Sequence, residues 1–293
     1  MPSINNIPGS GGTAGVFVPE LWLPIVQKAK EDNLVGAKVA FDVSGFGEVK
    51  SKGDVLHVPL LSNYSAVDKT ADTEIPQAAT TETEFTLTIN KHKALRISIE
   101  DLTKVQASYE LTKMYGEKIG FGLAKALDTD ILSLYSSLAQ TIGATASTDG
   151  GISDTLIVRA LRYLDVAMAP QEGRAIIIDP YGIEDMRAID KFTRYDAVGQ
   201  ADNNNPIVSG LFGHIYGVPV YVTTNLQTTS VVGGTLSRGL VVHREAFAYA
   251  KQSDPGLEVW RNAPRLQDEL IGQMLYGVKV YRANHGVVVS YAQ

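Results

Sequence analysis

At 293 residues and 44% hydrophobic content, the chain is long enough for one large domain or two and apolar enough for a packed core. It has no cysteine, which excludes disulfides and thiolate metal sites. Its formal charge of −6 argues against a sequence-blind nucleic-acid binder, which needs dense Lys/Arg contact with phosphates. No window approaches eighteen consecutive apolar residues, and MPSINNIPGSGG lacks the charged start and apolar run of a signal peptide, so no membrane role is expected.

Residues 1–15 are rich in Gly, Ser, Asn and Pro without an apolar period, the composition of a mobile arm. FVPELWLPIVQKAKEDNLV follows as an amphipathic helix, with Pro19 in its first turn, Leu21, Trp22, Ile25, Val26 and Ala29 on one face, and a kink at Pro24. The arm with its helix occupies 1–50. Over 51–100 the pattern is that of strands. DVLHVPLL and EFTLTINKHKALRISI pair as an antiparallel hairpin, and Phe85, Leu87 and Ile89 alternate with Thr86 and Thr88 to give one buried face. The stretch between them, from Ser62 to Glu82, has few large apolar residues and projects as a long loop.

The segment from Asp101 to Gln140 reads as one long helix spanning roughly 45 to 60 Å. Leu111, Tyr115, Ile119, Leu123, Leu127, Ile131, Leu134 and Leu138 form its stripe, and Glu100 and Asp101 place negative charge at its start. Glu110, Lys113 and Glu117, and Lys125 with Asp128, fall at ion-pair spacings. Gly116, Gly120 and Gly122 each cost about 1 kcal/mol in a helix, so they predict a close neighbour or a bend. TIGATASTDGG then reads as a linker, closing a unit at 101–150.

Over 151–255 the chain reads as a compact α/β unit. Ser153 caps a helix whose face carries Leu156, Ala160, Leu161 and Leu164, and RAIIIDP is a strand buried on both sides. YGIEDMRAID is a short helix, FTRYDAVGQADNNNPIVSG a polar loop, and GVPVYVTTNL and RGLVVHREAFAYAKQ are strands. In 256–293, GLEVWRNA and LQDELIGQMLYGVKVYRANHGVVVSYA alternate without an intervening helix. They form an antiparallel sheet whose apolar face, including Leu275, Val278, Val280 and Val287 to Val289, is covered by the long helix.

Chemistry is not advertised: no nucleophile elbow, phosphate loop, dinucleotide fingerprint or zinc-protease motif occurs. His57, His92, His214, His243 and His285 are scattered singly, with no pair at metal-ligand spacing. Asp68, Asp72 and Glu74 lack a calcium-loop pattern. Asp179, at the carboxyl end of its strand, is the best catalytic candidate; more simply it starts a turn and caps the next helix. No catalytic residue, cofactor or metal is assigned.

The order of pieces, namely GDVLHVP, LTINKHKALRISIEDL, EKIGFGLAKALDTDIL, ALRYLDVAMAPQEGRAIIIDP, GHIYGVPVYVTTNL and GLVVHREAFAYAKQ, resembles the major capsid proteins of tailed bacteriophages with the HK97-type fold. The resemblance runs from Val16 to the end. It implies an α+β fold with an N-terminal arm, an extended E-loop hairpin, a long spine helix packed on an antiparallel sheet (the P-domain) and an inserted α/β A-domain. It further implies a structural, non-enzymatic coat subunit of the virion, made in the host cytoplasm. Such a subunit joins copies of itself as hexamers and pentamers, alongside a portal, decoration proteins and a separate scaffolding protein, since no long N-terminal scaffolding extension is seen. Double-stranded DNA would be enclosed without specific binding. Some relatives crosslink an E-loop lysine to a neighbour's asparagine; Lys69 and Asn262 fall in the corresponding regions without an aligning motif, so no crosslink is assigned. An encapsulin-type nanocompartment shell, a soluble α/β enzyme centred on Asp179 and a tail-tube component are the alternatives.

Overall fold

The computed structural model describes residues 34–45, 55–61, 66–75, 82–101, 111–146, 149–189, 213–231 and 234–293. The N-terminal arm and its helix, the polar loop after residue 190 and positions 102–110 of the long helix lie outside them. A short helix α1 (Gly36–Val39) leads into β1 (Phe41–Asp42), β2 (Val55–Leu61), β3 (Glu82–Thr88) and β4 (Lys91–Glu100). Helix α2 (Leu111–Leu132) and strand β5 (Gln140–Gly143) follow, then α3 (Asp154–Val166), β6 (Arg174–Ile178) and α4 (Pro180–Ala188). The remainder is β: β7 (His214–Ile215), β8 (Val218–Val222), β9 (Thr228–Val231), β10 (Gly234–His243), β11 (Phe247–Asn262), β12 (Gln267–Val280) and β13 (Gly286–Ala292).

Two sheets carry the fold. One has four strands in the order β1-β11-β12-β4. The other has seven, in the order β5-β13-β10-β6-β8-β7 with β9 paired to β10. Helix α2 lies on the four-stranded sheet, its apolar stripe of Ile119, Leu123, Leu127 and Ile131 almost wholly buried, and the same core continues onto Ile177, Leu240, Val242 and Val288 of the larger sheet. The opposite face of the larger sheet, with Ile176, Ile178, Val241 and Val287, packs on Ile157, Ala160 and Leu164 of α3 and Met186 of α4. Successive residues of β6 therefore face different cores, and all five are buried, as a strand covered on both sides requires. Ser153 caps α3 by accepting the Leu156 N–H at 3.4 Å.

Two of the three helical glycines have close neighbours, while a Cβ at Gly120 would meet nothing within 4 Å. A Cβ at Gly122 would stand 2.8 Å from Leu95 Cδ1, and one at Gly116 would stand 3.0 Å from Leu257 Cδ2. The tightest seam is on the strand side, where a Cβ at Gly272 would lie 2.2 Å from Ile119 Cγ2.

β2 and β3 pair antiparallel from Val55↔Thr88 to Leu61↔Glu82. Phe85, Leu87 and Ile89 are buried at the hairpin's base against Val43, Ala248 and Ala250. Between the arms, residues 66–75 are exposed and form no strand or helix.

Several expectations are corrected. α2 ends at Leu132 rather than near Gln140. Ser133–Ser137 is a 3₁₀ turn, with the Ser133 hydroxyl donating to the Asp130 carbonyl at 2.8 Å. Its three-residue period keeps Leu134 in register with the helical stripe, so the apolar spacing alone cannot mark the end. The described helix of 22 residues spans about 33 Å. Part of the supposed linker is β5, which runs parallel to β13; a Cβ at Gly143 (φ +102) would meet the Ser290 carbonyl at 2.1 Å. RGLVVHREAFAYAKQ is two strands in different sheets, broken by a 3₁₀ turn at Arg244–Ala246. The last strand, carrying Val287 to Val289, pairs with β10 and β5 in the larger sheet and not with β12. Asp128 is no surface ion-pair partner. It is buried, and its carboxylate accepts the N–H groups of Val35 (2.8 Å) and Gly36 (2.5 Å) and the Asn225 amide (2.7 Å), pinning α1 to α2.

Candidate functional site

Asp179 follows the last residue of β6 and caps α4, accepting the Gly182 N–H at 2.9 Å. Its Oδ1 also accepts the Tyr291 hydroxyl at 2.6 Å, and its Oδ2 accepts the Ser237 hydroxyl, with the Gln293 amide at 3.4 Å. Both oxygens are enclosed and occupied, and burial beside this carboxylate pushes the Tyr291 hydroxyl well above the usual phenol range. The arrangement ties together β6, β10, β13 and α4. It leaves no lone pair directed at a substrate, so the catalytic candidate acts as a cap.

Glu100 closes β4. Asp101 takes the Arg261 guanidinium in a two-pronged pair shared with Asp268, which holds Arg261 above its ordinary range. One residue along, Asn262 donates to Glu269 Oε1 at 2.9 Å, and Gln267 and Arg96 donate to the same oxygen at 3.0 and 2.5 Å. Glu269 is fully buried, its Oε2 has no partner, and the Asn262 amide, against the burial and with Gln267 and Arg96 behind it, holds the carboxyl below its usual range. Lys69 is exposed, as are Asp68, Asp72 and Glu74.

The histidines divide. His57 lies 3.1 Å from Glu84 on the exposed hairpin, His92 lies 3.3 Å from Gln273, and His214 is exposed in β7. His243 and His285, far apart in sequence, are buried with ring centroids 5.5 Å apart, Glu245 beside them. Burial lowers both below the ordinary imidazole range, with Arg282 adding to the effect at His285. Periodicity cannot reveal this meeting, because it depends on two strand connections stacking.

What the subunit leaves open is extended surface. Among the described residues, β1 pairs with β11 only at Ala248 and Tyr249, so from Gly256 to Asn262 β11 has β12 on one side and no strand on the other. Leu257, Val259 and Trp260 on this edge and Leu266 at its tip are 47–64% exposed. An apolar strand with an unpaired edge is a template for a second chain. The hairpin β2–β3 is a separate two-stranded sheet, docked through Phe85, Leu87 and Ile89.

No protein-family model matches the sequence, and no curated protein matches it. Solved structures do. A chain from Mycobacterium phage Che8 superposes with a TM-score of 0.77 at 23% identity, covering 93% of this chain and 97% of that one. The capsid structure of the cyanophage P-SCSP1u gives a TM-score of 0.78 at 16% identity over 100% and 98% of the two chains. The capsid of Ralstonia phage GP4 gives 0.69 at 14% identity over 98% of each. The chain has a phage-capsid fold. It is an α+β fold of two sheets, with helix α2 on the four-stranded one and the hairpin β2–β3 beside them. No described helix is long and apolar enough to cross a membrane.

Proposed function

We propose that this protein is the major capsid subunit of a tailed phage, a structural and non-enzymatic protein with the HK97-type arrangement. The observation that carries the reading is the end-to-end match with phage capsid chains, in which nearly the whole of each chain takes part. In this reading β2–β3 with the loop between them is the E-loop, α2 is the spine, and the four-stranded sheet is the P-domain. The unit at 151–255 forms the hexamer and pentamer rings, with β5 and β13 completing its sheet. The exposed edge of β11 and the hairpin become buried on assembly, since a repeated heterologous contact closes into rings. A charge of −6 lets packed double-stranded DNA press on the inner wall without sticking. A separate scaffolding protein, a portal and decoration proteins are the expected partners, and the finished subunit resides in the virion after assembly in the host cytoplasm.

The test is to express the full chain alone and with a neighbouring scaffold gene, then apply sedimentation and negative-stain electron microscopy. Closed megadalton shells are expected. Removing residues 1–15, or shortening the loop from Ser62 to Glu82, should leave a folded subunit that assembles poorly. A discrete small species under every condition defeats the reading, and shells packed with an enzyme cargo point to a nanocompartment instead.

A further inference from the structure

The chain passes between the two sheets at two neighbouring corners. Arg244–Ala246 joins β10 to β11, and the turn Ala283–His285 leads from β12 into β13. The corners are bonded to each other: Tyr281 N–H donates to the Ala246 carbonyl at 2.9 Å and Arg282 N–H to the same oxygen at 3.4 Å. His243, Glu245 and His285 converge at this junction, each able to offer one ligand atom so that the three lie within 4.8 Å of one another.

We propose that these three side chains form a binding site for a divalent transition ion of the zinc class, which would clamp the two corners together. Two imidazoles and one carboxylate are a ligand set zinc accepts, leaving a fourth position for water. The second observation is His285 itself: it is 6% exposed, its Nδ1 has no hydrogen-bond partner, and that atom lies 3.8 Å from Glu245 Oε2. A buried polar atom left unpaired is uncommon and calls for an explanation; a metal lone-pair acceptor between Nδ1 and Oε2 supplies one. Zinc bonds of about 2.1 Å place tetrahedral ligand atoms about 3.4 Å apart. The His285–Glu245 separation is already near that value, and the widest span must close by about 1.4 Å. The widest span involves His243, and Glu245, 38% exposed on a flexible stem, can shift toward either imidazole.

Two features set the affinity. His243 Nδ1 accepts the Glu245 N–H at 3.2 Å and the ring also donates to the Glu172 backbone carbonyl, so the metal must displace one of these two bonds to gain His243. Arg282 Nε stands 3.3 Å from Glu245 Oε2 and competes with the metal for the carboxylate; being 49% exposed, it can turn to solvent. The site lies within one subunit and is independent of whether shells form.

The experiment titrates the full chain, stripped with chelator, with Co²⁺ followed by visible absorption and with Zn²⁺ followed by calorimetry and thermal unfolding. One ion per chain, the d–d bands of a four-coordinate cobalt site and a zinc-dependent rise in unfolding temperature are expected. Glu245→Gln, at a partly exposed position that leaves folding intact, and His285→Gln should each weaken binding by about tenfold or more. His57→Gln on the hairpin should leave it unchanged, and Arg282→Gln should tighten it. Absence of saturable binding, or cobalt bands that persist unaltered in both Glu245→Gln and His285→Gln, overturns the proposal.

Discussion

Replacing Gly272 by alanine tests how closely helix α2 sits on its sheet. The added Cβ falls 2.2 Å from Ile119 Cγ2 and 3.3 Å from Leu123 Cδ1. Carbon atoms pack at about 3.5–4.0 Å, so the helix and strand must separate by about 1.5 Å or Ile119 must leave its rotamer. Neither buried side chain has an exit, since each is only 2% exposed. Overpacking of this kind costs about 1–3 kcal/mol. Gly120→Ala, on the same helix, adds a Cβ with nothing within 4 Å and gains helix propensity, so it should stabilise by about 1 kcal/mol. The two alanines therefore separate by about 2–4 kcal/mol, or roughly 5–15 °C in unfolding midpoint, at about 2–4 °C per kcal/mol for large domains. Gly116→Ala and Gly122→Ala should fall between them, because the atoms they meet are the tips of the partly exposed Leu257 and Leu95. Urea and thermal unfolding of dispersed subunits measure this series. Equal stability for Gly272→Ala and Gly120→Ala would refute the close seating of α2 on β12.

Asp128→Ala strands the buried amides of Val35 and Gly36 and should cost about 2–6 kcal/mol, at about 1–3 kcal/mol per orphaned donor; a change below about 0.5 kcal/mol in urea unfolding contradicts the pin between α1 and α2. Burial, and then the neighbouring Asp42, pushes the Tyr249 hydroxyl up to about 12 from 10.0. Its folded-state value lies above its unfolded one, so its contribution is complete below pH 10.0 and lost as pH climbs from there to about 12. Tyr249→Phe should make the alkaline fall in stability shallower without abolishing it, because Tyr276 and Tyr291 are raised as well; an unchanged slope counts against this. Trp260→Ser, at an exposed strand edge, should leave subunit stability within about 0.5 kcal/mol while lowering shell yield. Normal yield by sedimentation would remove that edge from the assembly surface.

The elements legible in the sequence are those whose signal is local. The run AIII after Arg174 is buried on both faces because nothing in it is polar, Phe85, Leu87 and Ile89 alternate because the hairpin base has one dry side, and the caps at Ser153 and Asp179 show because each bonds an N–H only three residues on. Allegiance between sheets is not local. GVVVSYA alternates no differently for lying beside β10 than for lying beside β12, and the break at Arg244–Ala246 has neither Gly nor Pro to mark it. β5 and β9 are small and polar, with only Ile142 of β5 buried, so their pairing comes from backbone groups and leaves little trace in side-chain type. Asp128 shows the converse. Its charge reads as surface, yet two amides from ninety residues earlier give it a buried role. The meeting of His243 with His285 belongs to the same class of long-range facts.

The two short corners joining the sheets, three residues (244–246) and five (281–285) long, have a mechanical consequence. β11 and β12 are long neighbouring strands of one sheet, and each continues through its own corner into β10 and β13, neighbouring strands of the other. A pull applied anywhere on the outer β11–β12 ribbon reaches the larger sheet through two covalent paths side by side, with slack limited to a few residues in each. The sheets therefore cannot swing independently as two bodies on a single tether would. They yield together by shear and twist, and load taken up at the ribbon's tip enters the seven-stranded sheet along β13 and β10, the second and third strands from its β5 edge.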